Sequence, residues 1–251
     1  MKPYIIGIIP ARLAAARLPN KPLVYLLGKT MIQRVWERAK KSALLQEVAI
    51  ATPDPEIARV VEGFGGRAVM TRADHRSGTD RIAEAATILK LAPEDIVVNI
   101  QGDEPLLAPE GIDMAISLLL DDPALPMSSL RCLCPDIDID NPDCVKTLCA
   151  LNGDALYFSR ARLPFPRNPE GGAKVYQHCG LYAYRRNFLA TFASLAPTPL
   201  EKTESLEQLR VLENGYRIRM ALIDDPPIGV DTPEDLVRAI ERIGKTEGER
   251  E

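Results

Sequence analysis

In YIIGIIPARLAAARLPNKP, residues 4–22, an uninterrupted apolar run gives way to a proline and then to a cluster of cations. Ile5, Ile6, Ile8 and Ile9 crowd one short run with no polar alternation, the pattern of a strand buried on both faces of a parallel sheet. Pro10 stops the run, and Arg12, Arg17 and Lys21 follow within ten residues. In open α/β sheets the loop leaving the C-terminal end of a strand is where ligands bind. Arg forks onto phosphate oxygens and Lys acts as a point charge, so three cations on such a loop suggest a polyphosphate grip. The same residues also fit a solvated loop whose arginines happen to cluster. The glycines of a Walker loop or of GxGxxG are missing, which argues against a P-loop kinase and a nicotinamide dehydrogenase.

Val48–Thr52, Ala68–Met70 and Ile96–Ile100 read as further buried strands. Between them Ile32, Val35, Trp36 and Ala39 follow the spacing of an amphipathic helix, as do Ile82, Ala85, Ala86 and Leu89. Asp54 as N-cap with Pro55 after it starts another helix, which Gly63 can end. The expected fold class is therefore α/β, with a mostly parallel (mixed) central sheet flanked by helices in a single domain over residues 1–251. From about 125 to 190 the pattern loosens into strand-like pieces at Ser128–Arg131, Val145–Leu151 and Val175–Tyr184, with a proline-rich loop at 163–171. This segment reads as a small inserted antiparallel layer. A helix near Glu204–Glu213, a strand near Arg217–Leu222 and a last helix opened by the capping-box-like Thr232–Asp235 complete the chain.

The chain has 251 residues with 46% hydrophobic and 26% charged content, which excludes intrinsic disorder. Its net charge of −4 advertises no nucleic-acid coat and no membrane-surface role. Tyr4–Ile9 is far too short for a membrane span, and Pro10 and Arg12 interrupt it where a signal peptide would continue. The 5 cysteines lack zinc-ligand spacing and read as reduced thiols of a cytoplasmic protein.

Asp103 follows the strand candidate 96–100, where an oxygen ligand can meet a nucleotide-bound Mg²⁺; capping the helix after Pro109 is the alternative. Asp231 alone reads as an ordinary residue of a helix start, and with Asp103 as a second carboxylate for a hard cation. Of the 2 histidines, His75 lies in a polar loop and His178 sits mid-strand, where packing and hydrogen bonding are the commoner use. No Ser-His-Asp or Cys-His motif is visible, so covalent catalysis is not indicated.

Together, Ile9–Arg12, the Arg17–Leu23 stretch, Met70–His75 with Ser77–Thr79, Val98–Pro105, Ala155–Arg160, Glu207–Arg210 and Gly229–Asp235 make the sequence resemble the 3-deoxy-manno-octulosonate cytidylyltransferase (CMP-Kdo synthetase) family. The blocks occur in order along nearly the whole chain. The resemblance implies transfer of CMP from CTP to the sugar acid Kdo with release of pyrophosphate, for lipopolysaccharide synthesis. It also implies a nucleotidyltransferase α/β fold, Mg²⁺ as cofactor and a homodimer. By position, Arg12, Arg17 and Lys21 would hold the triphosphate, Asp103 and Asp231 the Mg²⁺, and the loop from Arg72 through Ser77 and Gly78 would approach the cytosine, with Ala11 and Asp103 also in the nucleotide site. Gln101, Arg160, His178, Tyr182, Glu207 and Gln208 would line the sugar pocket. Arg12, Lys21, Asp103 and Asp231 would carry catalysis. Rival readings are a sister cytidylyltransferase for an amino-substituted Kdo or another sugar acid, and an inactive nucleotide-sugar sensor.

The first loop departs from the family's usual Arg-Tyr-Ala-Ser-Thr-Arg-Leu-Pro-Gly-Lys, with Leu13, Ala15, Ala16 and Asn20 replacing Tyr, Ser, Thr and Gly. Two hydroxyl donors to phosphate, those of the usual Ser and Thr, are gone, and a hydrogen bond to a charged group contributes about 1.5–3 kcal/mol. The double change Ala15→Ser with Ala16→Thr is expected to lower the KM for CTP and raise kcat/KM several-fold in steady-state kinetics. Unchanged or reduced kcat/KM would mean that charges and backbone alone grip the phosphates.

Overall fold

The computed structural model describes residues 2–13, 18–224, 226 and 228–248. Arg17, Ala15 and Ala16, singled out above, lie outside them. Strand β1 (Ile5–Pro10) pairs in parallel with β4 (Glu47–Thr52) on one edge and β6 (Ile96–Asn99) on the other, and β4 pairs in parallel with β5 (Arg67–Met70). Strand β10 (Tyr176–Arg185) runs antiparallel between β6 and β7 (Met127–Leu133), and β11 (Ile218–Leu222) is parallel to β7 at the far edge. Together with the hairpin β8 (Lys146–Cys149) and β9 (Ala155–Ser159), which hangs from β10, these form one nine-stranded sheet among the described residues. The mixed, mostly parallel sheet is the expected class.

Alternation along β1 shows why it sits at the centre. Ile5 and Ile9 face α1 (Met31–Ala39), α2 (Pro55–Gly63) and α4 (Pro109–Asp121), where Val35, Ile57 and Ile112 complete the core. Ile6 and Ile8 face α3 (Gly78–Ile88), α5 (Arg186–Ser194) and α7 (Gln208–Glu213), meeting Ile82, Phe188 and Leu209. A third, smaller core joins Leu26 of the β2–β3 hairpin (Tyr25–Leu26, Lys29–Thr30) and Met31 to Val230 and to Ala239 and Ile243 of α8 (Pro233–Gly248). It seats the segment carrying Asp231 against the loop carrying Lys21.

Three expectations change in detail. The small antiparallel layer expected in the middle segment is the β8–β9 hairpin, whereas β7 and β10 of the same segment belong to the main sheet, where their side chains are buried. The helix near 204–213 is two short ones, α6 (Pro199–Glu204) and α7, because Ser205 takes a left-handed conformation at φ 54° and closes the first. Helix α2 starts at Pro55 as expected, but Asp54 does not cap it with its side chain. The Asp54 carboxylate instead accepts from the Leu13 amide at 2.8 Å and ties the first loop to the end of β4.

Candidate active site

The C-terminal ends of β1, β4 and β6 open on the same rim, and a cleft of about 470 Å³ lies over it. Pro10, Ala11 and Arg12 continue β1 along one wall, and the Ala11 amide stays bonded to the Ala51 carbonyl at 2.9 Å. Gln101, Gly102 and Asp103 leave β6 beside them. A Cβ on Gly102 would lie 3.2 Å from the Pro10 carbonyl oxygen, so glycine is what lets the two strand exits run side by side. The third wall is the loop of His75 and Arg76 with the first turn of α3, where Ser77 accepts from the Asp80 amide and Gly78 rests on Pro10. The free amides of a helix N-terminus favour anions, so this wall adds to the positive character of the cleft.

Across the cleft the Lys21 ammonium donates to Asp103 Oδ2 at 2.5 Å and to Asp231 Oδ1 at 2.8 Å. Burial works against the charge on Lys21, but the two carboxylates outweigh it and hold its pKa above the usual lysine value. The carboxylates are brought together by backbone as well, since the Val230 amide donates to the Asp103 carbonyl at 2.9 Å. Neither acid does the ordinary work its position allowed: α4 begins at Pro109 behind Ala108, and the start of α8 is bonded by Thr232 and Asp235. Next to Asp103, burial and then the neighbouring negative charge push the Glu104 carboxyl up to about 8.

Two residues of α3 that the apolar pattern could not single out shape the third wall. Arg81 is buried, lines the cleft, and donates to Thr71 Oγ1 at 2.7 Å and to the Arg72 carbonyl. Glu84 reaches back with one oxygen to His75 Nε2 at 2.5 Å and to the Arg72 amide at 2.9 Å, so the loop is fastened to its own helix. Their i, i+3 spacing on the polar face of the predicted helix was the available signal.

An annex of about 200 Å³ adjoins the cleft, sharing Pro10, Gly78 and Gln101. It takes in Tyr182, Glu207 and Gln208, and Thr79 Oγ1 donates to Glu207 Oε2 at 2.9 Å. Burial nevertheless holds the Glu207 carboxyl above its ordinary pKa. Gln101 is fixed by donating to the Gly180 carbonyl at 2.9 Å.

Three of the predicted residues are placed elsewhere. The Arg72 side chain is exposed, pairs with Asp74 at 3.2 Å and lines an outer groove between α3 and α5 instead of the cleft. The Arg160 guanidinium donates to the carbonyls of Glu204 and Pro142 and lines neither cavity. His178 stands behind the annex, 5.3 Å from the Tyr182 ring and 5.1 Å from Phe158 between centroids, with Nε2 bonded to Ser129 Oγ at 3.0 Å. Burial pushes its pKa down to about 3.

A cytidylyltransferase family model matches residues 6–218. The chain is 49% identical to 3-deoxy-manno-octulosonate cytidylyltransferase of Syntrophotalea carbinolica, over 93% of this chain and 96% of that one. It is 47% identical to the protein of the same name from Geobacter metallireducens, over 96% and 98%. The chain belongs to the 3-deoxy-manno-octulosonate cytidylyltransferase family. Among solved structures, CMP:2-keto-3-deoxy-manno-octonic acid synthetase complexed with CTP superposes with a TM-score of 0.92 at 41% identity, over 96% of this chain and 99% of that one. A 4-diphosphocytidyl-2C-methyl-D-erythritol synthase shares the fold, with a TM-score of 0.67 at 15% identity over 97% and 99%. As a cytidylyltransferase of this family the chain is an enzyme, and the sensor reading is not favoured.

A neutral His178 has a stability consequence in this cytidylyltransferase. The unfolded chain takes up a proton near pH 6.5 that the folded one refuses until about 3. The unfolded state therefore binds more protons in that window, and stability falls as pH drops through it. From pH 7 to pH 5 urea unfolding of the wild type is expected to lose about 2 kcal/mol more than that of His178→Gln. Parallel losses would show that His178 accepts its proton in the folded state.

Proposed function

We propose that this chain transfers CMP from CTP to Kdo, with CTP in the cleft and the sugar acid in the annex. The observation that carries the reading is the convergence of Lys21, Asp103 and Asp231 over the rim of the sheet, with Arg12 and Arg81 lining the same cleft and the annex opening beside Gln101. The anomeric hydroxyl attacks the α-phosphorus in line; its oxygen forms the new P–O bond, the bond from the α-phosphorus to the bridging oxygen breaks so that pyrophosphate leaves, and the hydroxyl proton passes to water. Such a transfer needs positioning and neutralisation of charge, and no enzyme nucleophile.

Arg12, Arg17 and Lys21 hold the triphosphate, and the loop ending at Ser77 and Gly78 approaches the cytosine. Gln101, Tyr182, Glu207 and Gln208 orient the sugar, and His178 acts behind them through Tyr182 and Ser129. Asp103 and Asp231 suit Mg²⁺: both bond one nitrogen, so two hard oxygens already face one point. Among the described residues no group of three or more potential ligand side chains occurs, which fits a cation that takes one or two carboxylates and the rest of its shell from phosphate and water. When bound, Mg²⁺ would neutralise charge on the phosphates. The names of relatives at 47–51% identity support Kdo over an amino-substituted sugar. Among the described residues no helix is long and apolar enough to cross a membrane, and the five cysteines carry free thiols, in keeping with a cytoplasmic enzyme.

Pyrophosphate release with CTP and a panel of sugar acids tests the reading, Kdo being the expected best substrate. Asp103→Asn and Asp231→Asn should each remove most activity in a protein that still melts cooperatively. Near-normal turnover in either variant at saturating Mg²⁺ would take that residue out of the metal site.

We also propose a homodimer formed partly through the middle segment, 164–184. Phe165 is 82% exposed, and Ile137 and Leu156 leave further apolar surface uncovered in the same part of the chain. Light scattering at micromolar concentration is expected to give twice the chain's 27.6 kDa. A monomer mass would refute it.

A further inference from the structure

The Lys21 ion pairs carry a consequence for the order in which the site fills. Asp103 Oδ2 and Asp231 Oδ1 share one ammonium nitrogen, and the Lys21 side chain is only 14% exposed. The approach of the two acids does not depend on that lysine: Val230 is fully buried and its amide is bonded to the Asp103 carbonyl, while the Asp231 amide is bonded to Asp235 at the start of α8. Backbone therefore holds two carboxylates within reach of one another, a like-charge pair that repels unless a cation lies between them. Lys21 supplies that cation from a short turn, Lys21–Leu23, entered through Asn20 at φ 53°.

We propose that Lys21 is an internal counter-ion bridging the Asp103–Asp231 pair in the nucleotide-free protein, and that a divalent cation binds between the two acids only by displacing it. The proposal rests on the metal role given to the two acids above. An ammonium and a divalent cation cannot both occupy the space between two carboxylate oxygens that a single nitrogen already bridges. Displacing Lys21 breaks two charged hydrogen bonds, and the triphosphate is the anion that can receive the freed ammonium. Nucleotide and metal thus favour each other through one side chain, and by linkage the coupling is reciprocal. A free enzyme built this way binds divalent metal weakly without its nucleotide.

The test is metal binding, not turnover. Free Mn²⁺ is measured by electron paramagnetic resonance with the full-length protein and no nucleotide, comparing wild type, Lys21→Arg, Lys21→Met and Lys21→Met with Asp103→Asn. The proposal expects Lys21→Met to bind Mn²⁺ at least tenfold more tightly than wild type. Lys21→Arg should stay as weak as wild type because it keeps the charge, and the double variant should lose the gain. Melting in the presence of Mg²⁺ gives the same comparison independently: the rise in Tm should be larger for Lys21→Met than for wild type. Equal, measurable Mn²⁺ affinities in wild type and Lys21→Met would overturn the counter-ion role while leaving the metal role intact. A gain in Lys21→Met that persists in the double variant would overturn it too, since the metal would then sit elsewhere. Absence of binding in every variant, with no Mg²⁺ requirement for pyrophosphate release, would remove both.

Discussion

Pro10 ends a strand that is paired on both edges and buried on both faces, so the chain can leave it only over the rim of the sheet. That constraint places Ala11 and Arg12 at the cleft with little freedom. It also fixes their neighbours, because Gly78 and Gly102 both press on Pro10, one from the start of α3 and one from the exit of β6. The wall that can meet an anion and the wall that carries Asp103 are thus held at contact distance through one proline. The site depends on this close approach: a Cβ added at Gly102 or Gly78 would lie 3.2 or 3.3 Å from Pro10, tight enough that the neighbour would have to give way.

Charge in the cleft is arranged around that frame. Arg12 and Arg81 face it with Lys21, but Lys21 is bonded to two acids, so the cavity presents a mixture of signs to solvent. Glu104 does not add to the acids at neutral pH, because burial beside Asp103 keeps its carboxyl protonated up to about 8. On the annex side Glu207 is likewise biased toward its neutral form and tied to Thr79, which suits recognition of hydroxyl groups better than of cations.

Local order was legible in the sequence and long-range fastening was not. The buried strands at 5–10, 47–52, 67–70 and 96–99 follow from short apolar runs, helices α1 and α3 from apolar periodicity, and α2 from its Pro55 start and Gly63 end. The break at Ser205 was hidden because a serine in the left-handed region carries no strong sequence mark. Arg72 and Arg160 were assigned by motif position, yet each guanidinium is taken up by acceptors beside it, Asp74 in one case and backbone carbonyls in the other. The bonds from Thr79 to Glu207 and from Val230 to Asp103 join residues more than a hundred positions apart, and only the fold brings them together. For His178 the commoner use of a strand histidine, packed and hydrogen-bonded, is what the geometry has, with Ser129 as partner and aromatic rings on two sides.

The antiparallel placement of β10 explains why an annex exists beside the cleft at all. A parallel strand in that position would end at the rim with β6 and leave open solvent above it. Strand β10 runs the other way: Tyr182 pairs with Asn99 at the rim, and the residues before it, from Tyr176 to Leu181, rise past the end of β6 toward the β8–β9 hairpin. Gln101 bonds to this extension at Gly180, so the exit of β6 and the rising strand form a corner. Pairing with β7 is irregular between Cys179 and Tyr182, and an irregularity of this kind bends a strand and re-aims its side chains. Tyr182 and Tyr184 consequently line the annex while Leu181 and Ala183 fill the opposite core. One reversed strand therefore converts the edge of the cleft into a second compartment that shares Pro10, Gly78 and Gln101 with it.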